Sequence, residues 1–376
     1  MKKILFLINT LSGGGAEKVL LDTVNNLNKE KYEITVQTVK NEGCYIKQLN
    51  SNIRYKSIIK TKNAFLKKVF MKMITKALPS KWVYNWFVKE KYDIEIAYLE
   101  GVPTKIISAS TNKKSKKVAW LHTDLVSYPN SAKTIGGEKR EKECYEKVDY
   151  IVCVSNSVKE KLIDKYCVDE SKVRVLYNVL DNNAILTKSK ENVNLSVQKK
   201  PIIMSAGRIC YEKGFDILLR IHKRLIDEGQ THSLLIVGDG TMRDELDDYI
   251  LENNLSETVE ITGFQSNPYK YMRQADLFVC SSRVEGYSTV VSEAAIIGLP
   301  VLSVDVAGAK EPFDNPRCSM IVDNTEDELY KALEKILSSH EDLQQLKEDV
   351  KQRRKNISKE RLIEKVENFI DNLIQN

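Results

Sequence analysis

Short, continuously apolar runs alternate along the chain with segments in which apolar residues recur every three or four positions. Continuous runs of strand length indicate strands that are covered on both faces, and the segments between them indicate crossover helices. This alternation predicts parallel, doubly wound sheets of the α/β class. The predicted strands cover residues 4–8, 34–39, 94–99, 117–121, 150–154, 202–206, 234–237, 259–262, 277–280 and 301–304.

The strands fall into two sets, separated by the polar stretch 181–200, which we interpret as a linker. A chain of 376 residues also exceeds what one hydrophobic core usually supports. We therefore predict two Rossmann-like lobes, over residues 1–180 and 181–355, and a C-terminal helix over 356–376 that returns to the first lobe. Such lobes bind ligands at the carboxyl ends of their strands, so we expect the functional residues in a cleft, just after strands.

A glycine-rich loop follows the first predicted strand. Gly13, Gly14 and Gly15 precede a helical pattern, and glycine at this place lets backbone N–H groups approach a phosphate. The dinucleotide fingerprint G-x-G-x-x-G is incomplete, because Lys18 occupies the position of the third glycine. A tight turn with a purely structural role is an equally good interpretation of this loop.

Two cations follow the first strand of the second lobe. Arg208 and Lys213 are five residues apart, and at the end of a buried strand they can point at a bound anion and neutralise it. An ordinary solvated loop is the alternative interpretation of this pair.

Two glutamates follow a later strand of the same lobe. Glu285 precedes an apolar helical pattern and Glu293 lies within it, where a carboxylate requires a polar partner. We therefore expect Glu293 to face a polar ligand. The helix begins near Ser288 and Thr289, and their free N–H groups predict an anion site.

In combination these clusters resemble the motifs of the retaining nucleotide-sugar glycosyltransferases of family 4, which have the GT-B fold. The match runs in family order over residues 201–311 and is looser in the first lobe. The matching motifs of the second lobe are Gly207-Arg208, Lys213-Gly214, Val237-Gly238-Asp239-Gly240, Thr262-Gly263-Phe264, Ala275-Asp276, Glu285 and Glu293 in the pattern E-x7-E, Gly298-x-Pro300 and Gly308-x-x-Glu311. Those of the first lobe are Gly13 to Glu17, His122-Thr123-Asp124, Val154-Ser155-Asn156 and Asn178-x-x-Asp181.

The resemblance implies a role for each matching residue. Arg208 and Lys213 would hold the donor diphosphate and stabilise it as a leaving group, while Glu285 would contact the transferred sugar. His122 stands where relatives place a histidine that contacts the sugar, although a structural histidine is the alternative. The implied donor-binding residues are Gly14, Gly15, Gly238, Gly263, Phe264, Gly286, Tyr287, Ser288, Thr289 and Glu293, the last of them toward the ribose hydroxyls.

We expect no cofactor and no metal, only a nucleotide-diphosphate sugar as donor substrate. The other large glycosyltransferase architecture binds a divalent cation through a D-x-D motif, and this sequence contains no D-x-D. Arg208, Lys213 and the helix N-terminus near Ser288 can supply the positive charge instead.

The segment 60–91 is strongly basic, with nine Lys and one Glu in a chain of net charge +6. Its apolar residues recur at helical spacing and are followed by aromatic residues, a pattern typical of helices that lie on anionic membranes. A crossover helix with a solvated Lys face is the alternative. The seven scattered Cys include no C-x-x-C pair, which favours a reducing compartment and no structural zinc.

The sequence thus predicts a cytoplasmic, membrane-peripheral enzyme. It would transfer a hexose from a nucleotide-diphosphate sugar, which we interpret as UDP-linked, to a glycan or polyprenyl-linked glycan. The transfer would retain the configuration, and no nucleic acid would be a partner. A GT-B-fold nucleotide-sugar epimerase or hydrolase is the alternative enzyme. A non-catalytic sugar-binding protein is a third possibility, disfavoured by the complete set of donor residues.

Overall fold

The computed structural model describes residues 1–127, 129–311, 319–352 and 358–375. It divides the chain into two compact units, one formed by Met1–Leu180 with the segment from Lys359 onward, the other by Asp181–Ser358. The predicted boundary at residues 355–356 lies outside the described residues. Among these residues, no helix has the length and apolar content to span a bilayer.

Each unit is built on one parallel sheet, which confirms the predicted doubly wound α/β class. The first sheet has the strand order β3-β2-β1-β4-β5-β6-β7 and the second β10-β9-β8-β11-β12-β13. The strands are β1 (Lys2–Ile8), β2 (Tyr32–Lys40), β3 (Arg54–Ile59), β4 (Ile94–Ala97), β5 (Lys116–Leu121), β6 (Tyr150–Cys153), β7 (Val173–Val175), β8 (Ile202–Ala206), β9 (Ser233–Val237), β10 (Val259–Ile261), β11 (Leu277–Cys280), β12 (Val301–Val304) and β13 (Ser319–Val322).

Helices connect the strands, as parallel pairing requires. They are α1 (Gly15–Asn26), α2 (Ala64–Lys72), α3 (Ser80–Phe87), α4 (Val102–Ile107), α5 (Asn130–Ile135), α6 (Glu138–Lys147), α7 (Asn156–Tyr166), α8 (Asn182–Lys188), α9 (Phe215–Asp227), α10 (Arg243–Glu252), α11 (Tyr269–Met272), α12 (Thr289–Ile297), α13 (Glu326–Ser338), α14 (His340–Gln352) and α15 (Lys359–Gln375). A π-helical turn, Met73–Ala77, follows α2.

The central strands carry the apolar runs because both of their faces are covered. Residues 4–8 of β1 are fully buried, and β8, β9, β11 and β12 are buried along their whole length. In contrast, β3, β7 and β13 lie at sheet edges and are only partly buried, so their sequences lack a continuous apolar run. The sequence analysis missed these three strands for that reason.

The stretch 181–200 is not simply a linker. It contains α8, which packs against α12 of the second unit. The Asp181 carboxylate caps this helix by accepting the Ala184 N–H at 3.0 Å. A short polar helix with a single buried apolar residue, Ile185, resembles a loop in sequence, which explains the incorrect interpretation.

The final helix belongs to the first unit. On α15, Glu367 accepts the backbone N–H of Asn28 at 2.7 Å, and Asp371 accepts the Tyr32 hydroxyl at 2.6 Å. Ile370 is fully buried. These contacts join the two ends of the chain in one compact unit.

Candidate active site

Four strands of the second sheet place the predicted donor motifs at their carboxyl ends. Below, the edge of the second sheet means this row of carboxyl ends, and not the outer strands β10 and β13. Strands β10, β9, β8 and β11 are neighbours and run parallel, so the loops after them lie side by side. The Gly207 N–H donates to the Val237 carbonyl at 3.0 Å, and the Ile209 N–H donates to the Asp239 carbonyl at 2.9 Å. These bonds join the loop that carries Arg208 to the loop after β9.

Glycine is required where these loops touch. A Cβ on Gly238 would lie 1.8 Å from the Gly207 carbonyl oxygen, and Gly238 also forms an isolated bridge with Gly263. Gly214 has a positive φ of 63°, and a Cβ there would lie 2.1 Å from the Ser281 carbonyl oxygen. The loop that ends at Gly214 is therefore held directly against the end of β11.

Lys213 and Glu285 form an ion pair across these loops. The Lys213 Nζ lies 2.6 Å from Glu285 Oε1, and the Ser282 hydroxyl donates to the same carboxylate oxygen at 2.8 Å. Burial alone lowers the pKa of Lys213, but the Glu285 carboxylate outweighs it and holds the pKa above the usual value. Lys213 is therefore a fixed positive charge at this edge.

Unlike Lys213, Arg208 has no protein partner among the described residues. Its side chain is exposed and forms no hydrogen bond or ion pair within the part of the chain that the structure describes. It is thus available for an anionic ligand, for which its planar guanidinium offers two parallel donors.

Two residues that the sequence analysis did not single out connect the loops. The Arg283 guanidinium donates to the Asp216 carboxylate at 2.8 and 2.6 Å and lies 4.2 Å from the Tyr211 ring centroid. The Arg283 N–H also donates to the Glu212 carbonyl at 2.7 Å. Only the folded structure brings Arg283 and Asp216 together, because no local pattern connects residues 67 positions apart.

The N-terminus of α12 forms the other part of the edge. Ser288 immediately precedes the helix, and its hydroxyl is buried without a hydrogen-bond partner among the described residues. Thr289 begins the helix, whose first N–H groups lack carbonyl partners within it. This end of α12 therefore combines a partial positive charge with an unpaired hydroxyl, which suits an anion.

Glu293 lies in the second turn of α12 and is almost entirely buried. The Tyr269 hydroxyl donates to its Oε1 at 2.9 Å. The carboxylate therefore has a protein partner, which the sequence analysis did not foresee, because Tyr269 precedes it by 24 positions. Carboxylate oxygens accept hydrogen bonds from hydroxyl groups, which is the chemistry that the predicted ribose contact requires.

The remaining predicted donor residues surround this edge. Gly286 packs closely on Gly308, where a Cβ would lie 2.8 Å from the Gly286 carbonyl oxygen. The Tyr287 hydroxyl accepts a bond of 3.2 Å from Ser292, which fixes the ring against α12. Phe264, in contrast, is 56% exposed and presents an apolar ring beside Gly263.

His122 follows β5 in the first unit. Its ring centroid lies 4.8 Å from that of Tyr98, and its backbone N–H donates to the Glu100 carboxylate at 3.0 Å. Burial lowers the pKa of His122 to about 3, so the imidazole is neutral at physiological pH. Its Nε2 is buried and unpaired among the described residues, as is Oδ1 of Asn9, which follows β1, two strands away from β5 in the sheet. Asn9 and Glu100 were not singled out from the sequence.

The glycine loop of the first unit is closed on its own helix. The N–H groups of Gly13 and Gly14 donate to the Glu17 carboxylate at 2.7 and 2.9 Å, and the Thr10 hydroxyl donates to its other oxygen. The Glu17 carboxylate thus satisfies two of the amides that a phosphate would need, those of Gly13 and Gly14. The geometry favours the structural interpretation of the loop at Gly13 and Gly14, whereas the predicted ligand contact of Gly15 stays a prediction.

Two family models match the chain. The model described as Glycosyltransferase Family 4 matches residues 13–183, and the model described as Glycosyl transferases group 1 matches residues 187–353. Together they cover both units and confirm the resemblance. The chain is a family 4 glycosyltransferase of GT-B fold.

Curated relatives of this glycosyltransferase include two bacterial glycosyltransferases. It is 33% identical over 195 residues to the N-acetylgalactosamine-N,N'-diacetylbacillosaminyl-diphospho-undecaprenol 4-alpha-N-acetylgalactosaminyltransferase of Campylobacter jejuni, a match that spans about half of either chain (51% and 52%). It is 24% identical to the lipopolysaccharide 1,6-galactosyltransferase of Salmonella typhimurium, over 84% of this chain and 83% of the relative.

Solved structures share the fold of the glycosyltransferase. A complex of Anabaena HepE with UDP covers 98% of this chain and all of its own, with a TM-score of 0.72 and 18% identity. The sucrose-phosphate synthase of Thermosynechococcus elongatus covers both chains completely, with a TM-score of 0.79 and 15% identity. At these identities the likeness concerns the fold alone.

Proposed function

We propose that this glycosyltransferase transfers a hexose from a UDP-sugar to a lipid-linked glycan, with retention of configuration and without a metal ion. The observation that carries the proposal is the edge of the second sheet, where Arg208, Lys213 and the open N-terminus of α12 place positive charge. The HepE complexes, which contain UDP and UDP-glucose, support the choice of nucleotide.

The departing nucleotide diphosphate carries the charge that develops as the sugar bond breaks. Arg208 is free to form bidentate bonds with it, and Lys213 adds a fixed ammonium. The Ser288 hydroxyl and the first N–H groups of α12 donate further bonds. Because these donors are in place before the reaction, they stabilise the leaving group without reorganisation.

Other residues would orient the rest of the donor. Glu293, held by Tyr269, would accept the ribose hydroxyls, and the exposed ring of Phe264 would stack on the base. Glu285 would accept a hydroxyl of the transferred sugar. His122, neutral and with an unpaired Nε2, would contact the sugar as a hydrogen-bond partner and not as a cation.

A patch of apolar side chains on α2, the π-helical turn and α3 supports an acceptor at a membrane. Contrary to the crossover-helix alternative, most of the predicted apolar stripe over residues 65–77 is exposed: Phe65 is 73% exposed, whereas Ile74 is buried. Trp82, one of the aromatic residues that follow the stripe, is 57% exposed. We define the apolar patch as Phe65, Leu66, Val69, Phe70, Met73, Trp82 and Trp86, all of them exposed.

Exposed lysines surround the apolar patch, namely Lys62, Lys68, Lys72, Lys76 and Lys81. Apolar side chains that enter the interface and lysines that meet anionic headgroups are the two components of peripheral membrane binding. The name of the Campylobacter relative includes a diphospho-undecaprenol acceptor, which supports the same location. We accordingly propose that the enzyme acts at the cytoplasmic face of a membrane.

A donor screen tests the catalytic proposal. The protein is incubated with a panel of UDP-, GDP- and ADP-sugars in EDTA, with and without lipid-linked glycan acceptors, and released nucleotide and product mass are measured. We expect release with a UDP-sugar that depends on acceptor and persists in EDTA. Turnover of the donor alone would instead favour the epimerase or hydrolase alternative.

Vesicle sedimentation tests the location. We expect the protein to sediment with phosphatidylglycerol vesicles at low salt, less at high salt, and weakly with phosphatidylcholine vesicles. The triple change of Lys68, Lys72 and Lys76 to Gln should release it, since each lysine near the surface contributes about 1 kcal/mol. The matched control changes the exposed Lys113, Lys114 and Lys139 to Gln; equal loss in both variants would contradict a specific surface.

A further inference from the structure

We propose that Glu285 competes with the donor diphosphate for Lys213, so that the site favours an intact nucleotide-sugar over the free nucleotide diphosphate. The inference rests on the proposed donor site and concerns how that site distinguishes its substrate from its product. It begins from the ion pair, in which the ammonium that would hold the diphosphate already lies 2.6 Å from Glu285 Oε1.

The pair is shielded from water. The Lys213 side chain is 23% exposed and that of Glu285 is 10% exposed. At such a site, taking away the partner of a charge is costly, because water replaces the lost interaction only in part. A diphosphate that attracts Lys213 therefore leaves the Glu285 carboxylate with the Ser282 hydroxyl as its remaining donor among the described contacts, and with a new anion nearby.

The two loops do not depend on this ion pair for their position. Arg283 holds them together through two bonds to Asp216 and one to the Glu212 carbonyl, and Gly214 packs directly on the Ser281 carbonyl. The Lys213 and Glu285 side chains can consequently exchange partners while the backbone stays in place. An exchange of partners, and not a loop movement, is what ligand binding requires here.

An intact donor can replace the hydrogen bond that the Glu285 carboxylate loses when Lys213 binds the diphosphate, whereas the free nucleotide cannot. A sugar carries hydroxyl groups that can donate to Glu285 in place of the Lys213 ammonium. UDP has no such group at that position, so it separates the ion pair without replacing what Glu285 loses. The arrangement weakens product binding relative to donor binding and favours release of the nucleotide after transfer.

Calorimetric titration of three probes tests the proposal: UDP, the UDP-sugar found in the donor screen, and inorganic pyrophosphate, which carries the anion alone. Glu285→Gln keeps the size of the side chain and an acceptor for Ser282 but removes the charge. We expect this variant to bind UDP and pyrophosphate roughly tenfold more tightly than the wild type, and the UDP-sugar no more tightly.

Glu293→Gln is the matched control, because the ribose it is proposed to contact is common to UDP and the UDP-sugar. It should weaken both to a similar extent and leave pyrophosphate unchanged. Unchanged or weaker binding of UDP and pyrophosphate to Glu285→Gln would overturn the competition. If the wild type binds pyrophosphate but neither uridine nucleotide, the choice of UDP is wrong, and the pyrophosphate data alone decide the competition.

Discussion

Two loops of this glycosyltransferase each lead from a strand to a helix, and they differ in which polar groups they leave unpaired. The loop at 13–17 is rich in glycine, but its amides donate to Glu17 of the same helix. The loop at 281–289 leads to a helix whose Ser288 hydroxyl is buried and unpaired among the described residues. Each loop leads to a helix N-terminus, where an anion can bind, but Glu17 occupies two amides of the first loop, whereas no described residue pairs with the Ser288 hydroxyl of the second. We call the first the closed loop and the second the open loop.

The strongest test of this comparison removes the cations beside the open loop. Arg208→Ala or Lys213→Ala should lower kcat by the equivalent of about 2–4 kcal/mol, because charge stabilisation is lost mainly in the transition state. Steady-state kinetics with the identified donor measure the effect. Lys199→Ala, an exposed lysine of the same unit, is the control and should leave kcat unchanged. Full activity of either cation variant would break the comparison.

A substitution of Glu17 in the closed loop should lower the stability of the protein and leave nucleotide binding unchanged. Glu17→Ala removes an acceptor from two amides at the start of α1, so we expect a loss of about 1–3 kcal/mol in the free energy of unfolding. Glu17→Gln retains an acceptor and should lose less. Urea denaturation followed by circular dichroism gives the stability, and calorimetry gives UDP affinity. A large drop in UDP affinity with unchanged stability would contradict the assignment of this loop.

Two histidines, His122 and His222, show the same difference between polar groups with and without a hydrogen-bond partner. Unlike His122, His222 is paired on both ring nitrogens, to His232 at 2.8 Å and to Thr258 at 2.9 Å. Burial lowers the pKa of His222 to about 3, so the unfolded chain, with a pKa near 6.5, binds a proton that the native state excludes. Stability from this group is present above pH 6.5 and is lost as the pH falls toward 3.

Between pH 7 and pH 5 this proton uptake should therefore lower the free energy of unfolding by about 2 kcal/mol. His222→Gln should be less stable at pH 7, but it has no imidazole at this position to take up a proton on unfolding. Its free energy of unfolding should therefore fall less between pH 7 and pH 5. Urea denaturation at both pH values measures the difference. Equal pH dependence of the two proteins would show that His222 is not buried in its neutral form.

The smallest expected effect is at the open loop itself. Ser288→Ala removes one donor to the diphosphate, and we expect UDP affinity to fall by the equivalent of about 1 kcal/mol, roughly fivefold. Stability should not fall, because the hydroxyl has no protein partner among the described residues. Ser292→Ala, in the same helix, is the control for α12 packing. A loss of stability without a loss of affinity would show that Ser288 is an ordinary helix cap.

The fold could be predicted from the sequence because parallel strands that are buried on both faces need continuous apolar runs, as in β1 and β11. The prediction failed at β3, β7 and β13, three of the four strands at the sheet edges; β7, for example, has three residues and includes an exposed Arg174. Sequence reasoning could propose donor residues because ligands of parallel sheets bind at the carboxyl ends of the strands. Their partners were not found, because the contacts of Glu293 with Tyr269 and of Arg283 with Asp216 join distant positions that no local pattern relates.

A sequence pattern also does not show whether the donors of a motif already have a partner within the protein. Gly13 to Gly15 predicted available amides, yet whether they are available depends on the direction of one side chain, that of Glu17. The lysine-rich segment 60–91 shows the same limit, since its apolar stripe fits packing or exposure equally well until the structure shows which residues are covered.

The central claim is that the donor anion binds at the edge of the second sheet, between the loop of Arg208 and Lys213 and the start of α12, without a metal ion. Amide hydrogen exchange with and without UDP, in EDTA, tests it most directly because it reports each loop separately. We expect UDP to slow exchange over residues 207–214 and 281–292 and to leave residues 10–17 unchanged. Protection of residues 10–17, or protection that appears only when a divalent cation is added, would contradict the account.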